Sequence, residues 1–408
     1  MNSGTPAPRL HLVAAVCAVV TASVALAAGL VRARSLERTH IHALAGDFSN
    51  AKLQGVALQR EAFSRDDLLP LYGSSELVKE VPNKASDFFV DYPTGFRVFP
   101  VGKAGATALP VLHKLVAVGR ELRGRKLAIS LSPSSYFAEE VDAGYYGGNF
   151  SELHATELAF STAISRGLKR DAARRMLEYP KTIEDNWLLQ TALRRLAGDT
   201  ALDRALYAAL FPLGKLQLWI GRAQDHFEAA EHIEDIHAPL AAEKRPRKMN
   251  WAATLRQAGE IAKKMKATAK KPGAPALAKR PKGSRDKAWL ATLEKADEWT
   301  DFELVLRALE ELGARPLILS MPVHGEDLEN FGVSKTARSA YEDRMRGLTG
   351  RYHAPFVYFK QNEEDPNFFY DNLDHLSPSG WIYYNKMLDD FFHERLTTLE
   401  PQPIPPRL

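Results

Sequence analysis

A chain of 408 residues with 45% apolar side chains can bury a large core, as two or three domains or as one domain carrying a large insertion. A formal charge of +4 is too mild to point to any class of partner, so only the distribution of charge is informative. The single cysteine, Cys17, excludes an internal disulfide and any cysteine-based metal cluster.

The first predicted element is Leu12–Val31, 20 residues without a charge. That length matches the hydrocarbon core of a bilayer. Ala25-Leu26-Ala27 resembles a cleavage site, but the apolar run continues past it, which favours a retained anchor over residues 1–34. Either way the remainder of the chain crosses a membrane. Arg9 precedes the run, whereas Arg32, Arg34 and Arg38 follow it; the positive-inside rule alone would place the large domain in the cytoplasm. Residues 35–65 read as a polar juxtamembrane stretch.

Short apolar runs with strand character follow: "LLPLYG", "FRVFPVG", "KLAISLSP", "RPLILSMP" and "PFVYF". Helical patterns separate several of them. "ALPVLHKLVAVGREL" carries Leu109, Leu112, Val116 and Leu122 at helical spacing, and "TDFELVLRALEELGARP" opens with Thr300 and Glu303 as a capping box and ends at Gly313. Such alternation predicts an α/β fold, a parallel sheet with helices on both faces. The third and fourth runs are about 180 residues apart, far too long for a simple crossover. The core is therefore expected over 66–137 and 299–395, interrupted by a mainly helical insertion at 138–298, with a tail at 396–408. Within the insertion, residues 244–287 hold fifteen Lys or Arg against two acids, Glu260 and Asp286. A solvated, partly disordered loop is one reading. The other is a surface for anionic lipid headgroups, a phosphate-rich envelope polymer or an acidic carrier protein. Nucleic acid is not expected as a partner of an exported chain.

Several residues could do chemistry. Ser75, in Gly73-Ser74-Ser75-Glu76, stands at the end of the first strand run, where ligands bind in parallel α/β sheets. Its hydroxyl could be a nucleophile near backbone N–H donors, or Ser74 or Ser75 could simply cap the next helix. His375, in "FFYDNLDHLSPSGW", precedes a helix that Ser377 and Pro378 would start. Asp371 and Asp374 both stand near it as possible orienting carboxylates. Gly105, after the second strand run, lets backbone approach a substrate and could donate to an oxyanion, or could be a plain turn. His324, after the fourth run, lines a pocket or caps a turn. In "HFEAAEHIEDIH", His226, Glu228, Glu231, His232, Glu234 and Asp235 read better as charge pairing on a helix surface than as a metal site. No metal and no cofactor are expected.

The blocks "YGSSEL", "YPTGFRVFPVGKAGATAL", "GRKLAISLSPSSYF", "GARPLILSMPVHGEDLENFGVS" and "HLSPSGW", in that order over about residues 65–395, resemble the DltD family, membrane-anchored proteins of D-alanine incorporation into teichoic acids. DltD in turn is similar to SGNH/GDSL hydrolases, which implies a flavodoxin-like three-layer α/β sandwich. The resemblance implies Ser75 as nucleophile, Gly105 in the oxyanion hole and His375 as general base. It also implies an extracytoplasmic catalytic domain, which outweighs the arginine count around the anchor. Two departures stand out. The family's Asp three residues before its His is Asn372 here; a one-residue insertion would restore the role to Asp371, with adjacent Asp374 as the alternative. Where SGNH hydrolases carry an oxyanion-hole Asn, Ser134 stands nearest, so either the Ser75 and Gly105 N–H groups suffice or the hole is weaker. The expected function is an anchored serine acyltransferase or esterase acting on D-alanyl or similar esters, with thioesterase activity as a further possibility. Its expected partners are a membrane-bound O-acyltransferase and a D-alanyl carrier protein. The alternative is a non-catalytic scaffold recruiting those two.

Overall fold

The computed structural model describes residues 8–45, 55–237, 245–268, 279–371 and 375–398, and Ile404. A long helix, α1 (Pro8–Leu44), comes first, and its segment Leu10–Leu44 is long and apolar enough to cross a membrane. The last turn of α1 packs on the body of the protein, burying Ile41 and Leu44 beside α2 (Val56–Ser64).

Five strands form one parallel sheet: β1 (Leu68–Gly73), β2 (Arg97–Gly102), β3 (Lys126–Leu131), β4 (Arg315–Ser320) and β5 (Phe356–Tyr358), in the order β2-β1-β3-β4-β5. This is the flavodoxin-like doubly wound order. The strands are apolar at nearly every position because both faces of the sheet are covered. Alternation sorts their side chains: Leu68 and Tyr72 enter one core, Leu69 and Leu71 the other. The first core is closed by α2, α5 (Ala108–Val118) and α13 (Glu298–Leu312); the second by α4 (Ala85–Asp91), α11 (Trp251–Thr268) and α16 (Pro378–Phe392). Between β1 and α4 lies the short α3 (Ser75–Val78). Pro70 sits within β1, an interior strand, where a missing N–H costs a ladder bond. The pairing of β1 with β3 accordingly begins only after it, at Leu71↔Ala128.

Between β3 and β4 the chain is helical: α6 (Ala143–Asn149), α7 (Glu152–Ala159), α8 (Arg166–Leu177), α9 (Trp187–Gly198), α10 (Ala201–Asp235), α11 and α12 (Asp286–Lys295), before α13 returns to the sheet. Helices α14 (Gly325–Asn330) and α15 (Lys335–Arg351) lie between β4 and β5. The apolar faces of α7 to α9 extend the first core rather than forming one of their own. Much of the basic stretch 244–287 is ordered: α11 packs on α16, burying Ala258 and Ala262. Residue 244 and residues 269–278 of that stretch lie outside the described residues.

Arg175 on α8 clamps Asp301 on α13 through Nε at 2.7 Å and a second nitrogen at 3.2 Å, and Asp301 is fully buried. Removing one partner of a buried pair strands the other charge. Arg175→Ala should therefore cost about 3–5 kcal/mol in denaturant unfolding of the full chain. A loss below about 1 kcal/mol would mean that the pair does not join insertion to core.

Candidate active site

β1 and β2 end side by side at Gly73 and Gly102, and a side chain on Gly102 would put its Cβ 2.0 Å from the Gly73 carbonyl oxygen. The chain leaves β1 through Ser74 and enters α3 at Ser75. Ser74 holds the cap position, but its hydroxyl makes no cap bond. The buried Glu76 carboxylate instead accepts the Ser74 N–H at 3.0 Å. The bond a Ser74 hydroxyl would make to the first helical turn is absent, and Glu76 instead ties down the backbone of the cap residue itself.

The Ser75 hydroxyl meets a residue 300 positions away: its Oγ lies 2.8 Å from Nε2 of His375. Local bonding explains the presentation of His375. Phe369 and Leu376 form an antiparallel bridge, the Tyr370 N–H donates to the His375 carbonyl at 2.8 Å, and the Ser377 N–H donates to Phe368 at 3.0 Å. This closed loop is pinned by Ser377, which caps α16 through the Ser379 and Gly380 N–H groups, with Pro378 at the first helical position. The loop returns Asp371 to the ring, with Oδ2 2.8 Å from His375 Nδ1.

Lys79, one helical turn beyond Ser75, donates to the same Asp371 oxygen and lies 5.4 Å from the Tyr370 ring centre. Burial raises the Asp371 pKa, but the hydrogen bonds and charges of His375 and Lys79 outweigh it and hold the carboxyl down at about 2. An ionised carboxylate can only accept. Nδ1 of His375 therefore carries the proton and Nε2 is left to accept from the Ser75 hydroxyl. A depressed folded-state pKa stabilises above the unfolded value of about 3.9, and that contribution is lost as pH falls toward 2. Wild-type protein should lose more stability than Asp371→Asn between about pH 4 and pH 2; parallel curves would remove Asp371 from this role.

Gly105 lies in the loop after β2 with φ of +75°, and a Cβ there would come 2.7 Å from the Tyr145 ring. The positive φ favours glycine, and a Cβ there would also push the exposed Tyr145 ring aside. Lys103 donates to the Gly148 carbonyl at 2.8 Å and Asn149 to the Ala104 carbonyl at 3.2 Å, so α6 of the insertion clamps this loop. On its other side the buried Glu298 carboxylate accepts the Ala108 N–H at 2.8 Å. Ser134 is exposed in a 3₁₀ turn after β3, with its hydroxyl 2.7 Å from that of Ser132. His324 caps α14 by accepting the Asp327 N–H at 3.4 Å, and its ring stands edge-on to Phe369 at 4.9 Å. Asn372 and Asp374 lie outside the described residues.

Ser75, His375 and Asp371 thus come together, Gly105 and Ser134 occupy loops at the ends of neighbouring strands, and His324 adjoins the histidine loop through Phe369. Lys79, Glu76 and Glu298 were not singled out in the sequence. Lys79 was legible from its spacing to Ser75; Glu298 was not, being 190 positions from its partner. The His226–Asp235 stretch pairs outward to α1: His226 Nδ1 lies 2.7 Å from Glu37, and Arg32 donates to Glu234 at 2.5 Å. The expected pairing is present, but between helices. A cavity of about 860 Å³ lies beyond the Gly105 loop, lined by Lys103, Phe150, Trp187, Leu213, Leu216 and Ile220 among others, and does not include Ser75.

The sequence pattern of a family described as "DltD protein" matches residues 45–393. This chain belongs to the DltD family. The match begins upstream of the blocks quoted above and ends at the close of α16. Protein DltD of Bacillus subtilis (strain 168) is 25% identical over 349 residues, 83% of this chain and 86% of that protein. Protein DltD of Staphylococcus aureus (strain NCTC 8325 / PS 47) is 21% identical over 377 residues, 88% of each chain. DltD family proteins are involved in the D-alanylation pathway.

Proposed function

We propose that this member of the DltD family is an anchored serine acyltransferase or esterase, with Ser75 as nucleophile, His375 as general base and Asp371 as the carboxylate that orients it. The observation that carries this reading is the Asp371–His375–Ser75 relay, assembled from opposite ends of the chain with both hydrogen bonds at 2.8 Å. Ser75 attacks the acyl carbonyl while His375 Nε2 takes its proton. The carbonyl oxygen becomes an oxyanion in reach of the Ser75 and Gly105 N–H groups, with Ser134 and His324 bordering the acyl site. Collapse expels the leaving group with the proton from His375 and leaves an acyl-serine. A polymer hydroxyl or water then attacks, giving its proton to His375, and Ser75 is released.

In this reading residues 66–137 and 299–395 form the catalytic core, 138–298 the insertion, and α1 a single-pass anchor that holds the core outside the cytoplasm. The donor and acceptor sides belong to a D-alanyl carrier protein and a membrane-bound O-acyltransferase. The test is turnover: purified full-length protein should release or transfer the acyl group of an ester or thioester. Binding of the acyltransferase with every ester and thioester left intact would instead establish a scaffold.

The basic stretch is proposed to meet an anionic lipid or envelope polymer. Binding should weaken as salt rises, since exposed charges are screened within about 8 Å at physiological ionic strength. Replacing Lys263, Lys264, Lys270 and Lys271 by Gln should reduce association with anionic vesicles; Lys270 and Lys271 lie outside the described residues. Equal binding at low salt would make the stretch an ordinary solvated surface.

A further inference from the structure

Helix α5 starts without a local cap. Thr107 holds the cap position in extended backbone, yet its hydroxyl makes no cap bond. The unpaired N–H groups of a helix start are ordinarily met by the cap side chain or by water. Here the first of them, Ala108, donates to Glu298 on α13 at 2.8 Å. Burying a carboxyl to meet one N–H is costly, so the bond calls for a reason beyond helix formation.

Burial pushes the Glu298 pKa well up. The Asp301 charge adds to this, and the Ala108 bond and Arg175 do not offset it. At neutral pH the group is therefore a carboxylic acid. Since Oε1 accepts from Ala108, the proton belongs on Oε2. Oε2 has no partner among the described residues, and neither do Tyr136 Oη, Thr107 Oγ1 and Ser130 Oγ. These four residues line one cavity of about 20 Å³, room for a single bridging water. Ser74 after β1, Ala106 after β2, and Ser132 and Ser135 after β3 line it too. The same three turns carry Ser75, Gly105 and Ser134. Glu298 is itself held in place. The Asp297 N–H donates to the Glu139 carbonyl at 2.9 Å, and the Trp299 ring lies 4.3 Å from that of Tyr136.

We propose that Glu298 is a positioning residue for the Gly105 loop: from α13 it fixes the start of α5, and so sets where the Gly105 N–H points. This rests on the acyl-transfer reading above. The far end of the loop is tied by Lys103 and Asn149, and the Ala106 N–H closes the turn on the Lys103 carbonyl at 2.9 Å. Glu298 supplies the tie on the α5 side. An oxyanion donor acts only when charge develops on the acyl oxygen. Misplacing it slows the chemical step without weakening the binding of substrate. The role needs an acceptor at Oε1 and a donor at Oε2, but no charge.

The test follows turnover of a chromogenic D-alanyl ester by the full-length protein and its variants. Serine-directed fluorophosphonate counts the competent sites in each preparation. Glu298→Gln keeps an acceptor and a donor, whereas Glu298→Met keeps the volume with only a weak acceptor. The expected result is a fall in kcat of about 10²-fold in Glu298→Met at unchanged KM and full label stoichiometry. Glu298→Gln should stay near the native rate. If Glu298→Met does not fold, Glu298→Asp decides. One methylene shorter, it keeps the acid but draws it away from Ala108, and kcat should fall at unchanged KM. A native kcat in the Met or Asp variant, a loss expressed in KM alone, or a Gln variant as slow as the Met variant would overturn the proposal and leave the acyl-transfer reading intact. No turnover by the native protein, or equal turnover by Ser75→Ala, would remove that reading and this inference together.

Discussion

Ser75→Ala should abolish acyl transfer while the protein stays folded. The Oγ has two neighbourly duties in the proposed chemistry, bonding to the acyl carbon and giving its proton to His375 at 2.8 Å, and neither survives removal of the hydroxyl. Structure should survive, because β1 and α3 are held by sheet pairing, by the buried Leu71, Tyr72 and Leu77, and by the Glu76 bond to the Ser74 backbone. His375→Ala should be as inactive as Ser75→Ala, and the double variant no worse than either. Residues acting as a unit are grossly non-additive, and the loss in kcat should be on the order of 10³-fold or more. Ser74→Ala is the control. Since its hydroxyl makes no cap bond, it should change neither stability nor rate by much. Full activity in Ser75→Ala would return Gly73-Ser74-Ser75-Glu76 to the status of a strand-to-helix turn.

Asp371→Asn should lower kcat by about 10³–10⁴-fold in protein that still folds at neutral pH, at a cost in stability that shrinks as pH falls toward 2. An amide can present its NH₂ to Nδ1, which reverses the tautomer and leaves Nε2 protonated, unable to accept from Ser75. Lys79→Met should cost far less, because it removes only one of the two groups that keep Asp371 ionised. Asp374→Asn should leave the rate near wild type. If instead Asp374→Asn were the damaging change, the loop register around His375 would have to shift by several residues.

Much of this was legible because local chemistry and tertiary packing agree. All five apolar runs became strands, and the glycines at Gly73, Gly102 and Gly313 end elements as their chemistry suggests. Ser377 and Pro378 start α16. Elsewhere packing prevailed. Thr300 and Glu303 suggested a helix start, but α13 begins at Glu298, because burial of Glu298 and Trp299 draws the preceding turn into the helix. Pro212 and Gly214 lie within the helical insertion, where proline and glycine ordinarily weaken a helix. The structure runs α10 straight through them from a capping box of Thr200 and Asp203 that was there to be read. Asp371 was preferred to Asp374 from the sequence, but its contact with His375 depends on the closed loop from Phe369 to Leu376, which no spacing rule supplies. Glu298 was invisible for a simpler reason: its partner, the Ala108 N–H, is a backbone group that any sequence would offer.

The most direct measurement is covalent labelling of the full-length protein with a serine-directed fluorophosphonate, mapped by mass spectrometry. The expected result is one adduct, on Ser75, lost in His375→Ala because the hydroxyl is then no longer activated. No adduct on the native protein, or an adduct on Ser74, Ser134 or any other serine with Ser75 unmodified, would contradict the assignment of Ser75 as nucleophile.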